Sequence, residues 1–528
     1  MNLSRRRFFI GGAAFASLGA FAGNRFFAVT TSTTLPRKGK PRLKFGVLSD
    51  IHILRIGADE KMSDGGNSLT FRHALEWFRS QDVDAVVIAG DMADKGIDEN
   101  LMAVADAWYS VFPDDKYPDG RRVEKVFVTG NHDWDGHKYG NAVAKKYPDE
   151  AERARHILQK DMAGWWEKTF HEPYAPICTK EIKGYSFIGA HWDMGGSGAE
   201  VGKDVYAYGR IMDFMKSHGK KFDPSLPFFY VQHPHLKDTC YGSWAWGHDK
   251  GIATKTLSAY PNAIAFSGHS HYSLTDERSI WQGAFTSVGT GSLCYTGTPG
   301  LERAPGGYEN TAFFENWRCN ALKLSKPMKV DDCRQGMLWS VYDDCITVKR
   351  REFLSDLGLG EDWVMPLPAA EPRPFAFAEH ARRLRAPEFP AGAKSAVAEV
   401  NAKNRGGKSK DGKEKIPSEK KPSFKVTVPA VVPDDKARLF ALEFAAKTED
   451  GKIRTKLVLS EGFNHSLKHA KAKSRQSCCF RKDELGQGDV RFAVTPMNCF
   501  GARGKPLTAT FEKGCDFAKT TTDAMRTK

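Results

Sequence analysis

Short apolar runs recur along the first two-thirds of the chain, and most stop at a small group of polar residues. Leu43–Leu48, Asp84–Ala89, Val126–Thr129, Phe187–Ala190, Pro227–Gln232, Ala263–Ser267 and Phe285–Val288 are each four to six residues long. Runs of this length, bounded by Gly and polar residues, read as strands buried on both faces. Met337–Val348 adds further strands, including Ser340–Tyr342 and Ile346–Val348. Between the first three runs, Asn67–Ser80 and roughly Glu99–Ser110 have the spacing of amphipathic helices, and Glu150–Phe170 looks helical. Strand–helix–strand alternation predicts a largely parallel sheet. Ligands of such sheets gather at the carboxyl ends of the strands. A second sheet from the later runs predicts a layered sandwich flanked by helices.

The polar groups at those strand ends carry the chemistry. Ser49-Asp50-Ile51-His52 follows the first run. Residues two apart on an extended chain share a face, so Asp50 and His52 can begin a metal site. Gly90-Asp91 ends the second run, where Gly permits a sharp turn. The third delivers Gly130-Asn131-His132-Asp133: an amide oxygen, an imidazole that titrates near neutrality, and a carboxylate able to hold that imidazole in one tautomer. His233-Pro234-His235 follows a later run, and Gly268-His269-Ser270-His271 another. Two His at i, i+2 after an apolar strand have little packing value. His191-Trp192-Asp193 offers a further ligand pair but reads first as a rim pair, and His235 stays a rival to His233, which follows its strand directly. Gly195–Gly198 is a flexible loop and lacks the Lys-Ser/Thr of a phosphate-cradling loop.

In order, the chain presents DxH, GD, GNHD, H and GHxH, each at a predicted strand end. On these motifs residues 42–355 resemble the calcineurin-like metallophosphoesterases. The resemblance implies a metallophosphoesterase β-sandwich in α/β/β/α layers and a dinuclear metal centre. It implies that Asp50, His52 and His271 hold one ion, that Asn131, His233 and His269 hold the other, and that Asp91 bridges them. Oxygen and imidazole donors suit Mn, Fe or Zn. It also implies a metal-bridging hydroxide as nucleophile, with His132 as acid or transition-state stabiliser and Asp133 orienting it. The expected activity is hydrolysis of a phosphomonoester or phosphodiester. The alternative is a surface-binding or adhesion protein whose phosphoesterase domain is vestigial. Substrate choice is expected to lie in residues 134–171, 192–226 and around Trp244 and Trp246. The aromatics Trp134, Tyr139, Trp165 and Trp166 read first as packing or a lid.

The N-terminus changes the expected location. Arg5, Arg6 and Arg7 precede an apolar, uncharged stretch to Gly23 that is too short for a comfortable membrane helix. Ser4-Arg5-Arg6-Arg7-Phe8-Phe9 resembles a twin-arginine export signature. A signal peptide over residues 1–30, the twin-arginine machinery as partner and a periplasmic or secreted bacterial protein are the expectations.

Past residue 356 the pattern changes again. Prolines from Pro366 to Pro390 and a Lys-rich tract read as a linker over 356–423. The net charge of +14 is uneven: residues 391–425 hold ten Lys/Arg against four Asp/Glu. That tract reads as a solvated linker or as a contact for an anionic cell surface, with no specific nucleic-acid recognition. Strands return at Phe424–Val428, Leu439–Ala445, Lys456–Leu459, Val490–Val494 and Leu507–Phe511. They predict an all-β sandwich over 424–515. Within it, Arg491–Asn498 followed by Gly501 and Gly504 resembles the late strands of a fibronectin type III domain. The ten cysteines form no CxxC pair. Cys333 with Cys345, or Cys499 with Cys515, are the first candidates for a disulfide.

Overall fold

The computed structural model describes residues 39–55, 66–134, 140–192, 208–241, 245, 248–249, 251–296, 333–403, 407–408, 415–416, 420–432, 434–448, 450–460, 475–486 and 488–511. The expected leader over 1–30, Asp193, the Gly195–Gly198 loop, Trp244, Trp246 and Cys515 lie outside them. Among the described residues no helix is long and apolar enough to cross a membrane.

Two mixed sheets pack face to face. Strands β1 Leu43–Leu48, β2 Ala85–Ala89 and β3 Glu124–Val128 run parallel in the first. The second is built from β4 Ile177–Ile182, β5 Tyr185–Ala190, β6 Phe228–Gln232, β7 Ala263–Ser267, β8 Ile280–Gln282 and β9 Thr286–Gly289. Its order is β4-β5-β6-β7-β9-β8, with β5, β6, β7 and β9 parallel. The first sheet is completed by β10 Gln335–Val341, β11 Cys345–Glu352, β12 Leu357–Gly358 and β13 Trp363–Pro366. Its order is β12-β11-β10-β1-β2-β3, with β13 also paired to β11.

Alternation along β1 explains the layers. Leu43, Phe45 and Val47 enter the core between the sheets, where the Phe45 ring lies 4.9 Å from Phe229, 5.3 Å from Phe187 and 5.9 Å from Trp339. Gly46 and Leu48 face the helices instead. A Cβ on Gly46 would come within 2.5 Å of the Phe78 ring, so the helix lies directly on the strand. Phe71, Ala74, Leu75 and Phe78 form the buried stripe of helix Asn67–Ser80, and Leu101, Val104 and Trp108 that of helix Asp98–Val111. On the other outer face, Ile211, Met215, Ala253 and Leu257 from two helices cover Tyr230 and Ala265. The expected α/β/β/α layering is therefore present.

Three expectations are corrected. Glu150–Phe170 is not one helix: it breaks into Glu150–His156, a turn at Leu158–Lys160 and Met162–Phe170. Ile157 is extended and bridges to Ile97, while Asp161 caps the last helix by accepting the Gly164 N–H. The second is the Cys333–Cys345 disulfide, for the strands expected over Met337–Val348 form a hairpin turning at Asp343-Asp344. Its register puts Val341 opposite Ile346 at one end and Gln335 opposite Glu352 at the other. Cys345 and Cys333 therefore sit at opposite ends of strands that rise about 3.3 Å per residue, far beyond the ~7 Å Cα separation a disulfide tolerates.

The third is the linker. The first sheet does not end at 355, because β13 pairs with β11 through Val348↔Trp363 and Cys345↔Pro366. Nor is the Lys-rich tract free of structure among the described residues: β14 Ala396–Lys403 pairs antiparallel with β17 Lys420–Pro429, bracketing a minor pair, β15 Gly407–Lys408 and β16 Lys415–Ile416. The C-terminal sandwich begins there. It also contains β18 Ala441–Thr448, β19 Ile453–Leu459, β20 Arg475–Arg481, β21 Val490–Met497 and β22 Leu507–Phe511. Its sheets are β14-β17-β20 and β19-β18-β21-β22, all antiparallel. Phe424, Val426 and Phe480 meet Leu442, Phe444 and Phe492 in the core between them.

The two sandwiches are joined by buried polar contacts. Arg278, paired with Asp276, lies under the Phe440 ring, 5.1 Å from its centroid. The neighbouring Glu277 accepts from Arg350 at 2.8 Å and from Trp363 Nε1 at 2.7 Å, and lies 3.2 Å from His380, whose ring packs on Phe500. Burial would raise the Glu277 carboxyl, but Arg350, His380 and Trp363 outweigh it and hold it well below the usual carboxylate range. A depressed pKa contributes stability above the ordinary Glu value of 4.5 and loses it as pH falls through the folded value. Glu277→Ala removes the carboxylate that pairs with the buried Arg350 and is expected to cost about 3–5 kcal/mol at neutral pH. The penalty should shrink progressively in thermal melts as pH falls below about 4.5, where the unfolded chain protonates Glu277 before the folded one does. An equal penalty at every pH would contradict the assignment.

Candidate metal centre

Every motif at a strand end converges on one place. DxH follows β1, GD follows β2, GNHD follows β3, His233 follows β6 and GHSH follows β7. Asp50, His52, Asp91 and His271 offer ligand atoms all within 4.8 Å of one another, and Asp91, His233 and His269 do the same. Asp91 is common to both groups. Its Oδ2 lies 3.7 Å from His52 Nε2 on one side and 3.1 Å from His233 Nε2 on the other. His271 Nε2 is 3.0 Å from Asp50 Oδ1, and Asn131 Oδ1 is 3.2 Å from His233 Nε2.

The backbone is bent to achieve this. Asp50, His52, Asp91, His269 and His271 all have positive φ, between 51° and 66°. Asp and His tolerate this region better than bulky residues, yet each such residue stores strain of about 1–3 kcal/mol. The turns are locked together. The Asp50 N–H donates to Gly90 O, and the Ile51 and His52 N–H groups both donate to Asp91 O. The second sheet is tied in where the His269 N–H donates to the Asp50 carboxylate at 3.1 Å. The glycines of the motifs follow from crowding. A Cβ on Gly130 would fall 2.2 Å from Asp91 Oδ1, and one on Gly268 would meet Ala89 O and Asp50 Oδ2 at 2.7 Å.

The donor set fits cations. His233 Nδ1 donates to Ala89 O at 2.8 Å, His271 Nδ1 to Tyr295 O at 3.0 Å, and His52 Nδ1 lies 3.2 Å from Asp94 Oδ1. Those bonds leave each Nε2 lone pair for a metal, the usual second-layer arrangement. Asp50 and Asp91 are fully buried, and no Lys or Arg ion pair engages either among the described residues. Two buried carboxylates need positive charge. Burial opposes a proton on His233, but Asp91 and Asp50 overcome it and push that imidazole up to about 9. A divalent ion would take the place of that proton.

Around this cluster the structure departs from expectation. No hydrogen bond joins Asp133 to His132. The Asp133 carboxylate accepts instead from the Gly130 and Ala93 N–H groups, both at 2.7 Å, and fastens the GNHD turn to the GD loop. Burial and the nearby Asp91 push its pKa up to about 7. His132 is oriented by Asp94, a residue not singled out from sequence: Nδ1 donates to the Asp94 carbonyl at 2.9 Å, and the Asp94 carboxylate lies 3.6 Å away. The available signal was an acid three residues after Asp91, at the same strand end. His191 is no rim residue. It is buried against Trp166 and Tyr174, its Nδ1 accepts the Thr129 N–H, and burial takes it down to about 3. His235 donates Nε2–H to Cys240 O, away from the cluster. Trp134 and Trp166 are core residues. The Tyr295 ring lies tilted with its centroid 4.2 Å from that of His271, and Trp192 lies 5.9 Å from His233.

Gly130→Ala should displace Asp91 while leaving the sheets intact. Metal analysis by mass spectrometry is expected to find less than one equivalent per chain, with unchanged far-ultraviolet dichroism. Full metal content in that variant would contradict the crowding described above.

Comparison with known proteins agrees with the geometry. Residues 43–273 match the family model described as calcineurin-like phosphoesterase. No curated protein sequence matches the chain. Among solved structures, a dimetal phosphatase from Danio rerio is 15% identical over 62% of this chain and 100% of its own, at a TM-score of 0.31. Purple acid phosphatase PPD1 from yellow lupin (Lupinus luteus) seeds is 15% identical over 61% of this chain and 54% of its own, at 0.36. At these scores neither bears on substrate or mechanism. Residues 43–273, which carry the ligand cluster, are thus similar to the calcineurin-like phosphoesterases, as expected of a metal-dependent phosphoric ester hydrolase.

Proposed function

We propose that the protein is an exported phosphoesterase that hydrolyses a phosphomonoester or phosphodiester at a dinuclear metal centre. The observation that carries this reading is the sharing of Asp91 between two ligand groups. Asp50, His52 and His271 would hold one ion, Asn131, His233 and His269 the other, with Asp91 between them. The ions, when bound, supply Lewis acidity and lower the pKa of water at the site. A vestigial domain is disfavoured, since no ligand position has been lost and five residues still bear the strain of left-handed backbone.

His132 takes the acid role in this reading. Its Nδ1–H is held by the Asp94 carbonyl, so the proton available for transfer is on Nε2. The Asp94 carboxylate lies 3.6 Å from Nδ1, on the side of the ring opposite that proton. Donation from Nε2 to the leaving oxygen would complete hydrolysis. Asp133 serves as a positioning residue for the turn, not as a partner of His132.

His132→Ala is expected to lower kcat on an alkyl phosphate by about 10²–10⁴ while metal content stays at the parent level. The loss should be smaller for an aryl phosphate, whose leaving group needs no proton. Equal losses on both substrates would remove His132 from the acid role. Failure of the metal-loaded parent to turn over either substrate would remove the enzyme reading.

The remaining parts of the proposal rest on sequence and topology. The three-plus-four strand order of the C-terminal sandwich supports a fibronectin type III-like module. The exposed Lys420 at the start of its second strand, in a Lys-rich stretch of sequence, suits contact with an anionic cell surface. Export rests on Arg5 and Arg6, and Arg5→Lys with Arg6→Lys should retain the protein in the cytoplasm on cell fractionation. Undiminished export of that double variant would count against the twin-arginine route.

A further inference from the structure

The insertion that follows GNHD carries a wide, open groove, outside the metal centre. Its volume is about 620 Å³, and Arg155, Lys160, Lys168 and Trp165 line it with Ala154, Asp161 and Gly164. Three of the lining residues are cationic and one is acidic. The acid is engaged: Asp161 Oδ1 accepts the Gly164 N–H at 3.0 Å as the cap of helix Met162–Phe170. Among the described residues, no ion pair engages Arg155, Lys160 or Lys168. Lys168 lies over the half-buried Trp165 ring, its Nζ 4.4 Å from the centroid, so the indole carries one of the cations. Uncompensated cations converging on a concave surface favour an anion with several oxygen acceptors.

The groove is tied to the catalytic segment. Its Leu158–Lys160 turn packs on Asn131–Trp134, which contains His132. The Leu158 N–H donates to Gly96 O, two residues beyond Asp94, and Ile157 bridges to Ile97. The cationic surface thus lies on a segment that packs against the turn carrying His132.

We propose that this groove is an exosite for a second phosphate group of the substrate, so that the enzyme prefers esters bearing phosphate remote from the scissile one. The inference rests on the phosphoesterase reading above. Arg155, Lys160 and Lys168 would hold the remote phosphate, and Trp165 would keep Lys168 in place.

The test compares the full-length, metal-loaded parent with a triple variant, Arg155→Gln, Lys160→Gln and Lys168→Gln. A control carries Lys216→Gln, Lys220→Gln and Lys221→Gln, which removes the same charge elsewhere on the surface. The substrates are a mono-aryl phosphate and an aryl ester of tetraphosphate. The parent and control should prefer the tetraphosphate ester in kcat/KM by about tenfold, mainly through KM and less so at high salt. The triple variant should lose that preference and keep its rate on the mono-aryl phosphate. No preference in the parent, or an equal preference in the triple variant, overturns the exosite. If no protein turns over the mono-aryl phosphate, the phosphoesterase reading has failed. Fluorescence anisotropy of a fluorescein-labelled tetraphosphate then still reads the groove: binding should weaken in the triple variant and not in the control. Displacement by orthophosphate at equal concentration would make it a site for free phosphate and overturn the substrate role.

Discussion

Asp91 is the residue on which the rest of the site depends. A buried carboxylate at the junction of two strand ends is stable only among donors and cations. Here one oxygen accepts the His132 N–H at 2.8 Å, and the other faces His52 and His233. Gly90 and Gly130 on either side lack a side chain because there is no room for one. The two sheets therefore cannot approach in this register without bringing Asp50, His52, His233, His269 and His271 around the same carboxylate. The sandwich core of Phe45, Phe229, Phe187 and Trp339 sets the spacing, and the ligands occupy its open end.

The cost of this arrangement is visible in the backbone. Five ligand residues hold left-handed conformations, and hydrogen bonds between Asp50, Ile51, His52 and the Gly90-Asp91 turn keep them there. Strain of this kind persists only where the surrounding structure holds the residues in place. The same rigidity explains why GNHD divides its labour. Asn131 turns toward His233, His132 toward Asp94, and Asp133 back into the loop that holds Asp91.

Much of this was legible in the sequence because the ligands come in local pairs at strand ends. DxH and GHSH announce themselves by an i, i+2 spacing that an apolar run fixes in direction. Asp133 was misread because its role depends on backbone N–H groups contributed by Ala93 and Gly130, which no side-chain pattern records. Asp94 was missed for the complementary reason, since it contributes through its carbonyl as much as its carboxylate. The Ala396–Lys403 strand passed for linker because it is an edge strand of small and charged residues, mostly outside the core. Arg475–Arg481 hides a strand in the same way, with only Cys478 and Phe480 turned inward.

The central claim is that Asp91 joins two metal ions in one centre. Electron paramagnetic resonance of the Mn²⁺-loaded protein, titrated from zero to excess metal, tests it most directly. The account predicts two ions per chain and a spin-coupled spectrum that grows at the expense of the isolated six-line signal. Two ions with uncoupled signals, or saturation at a single ion, would contradict it.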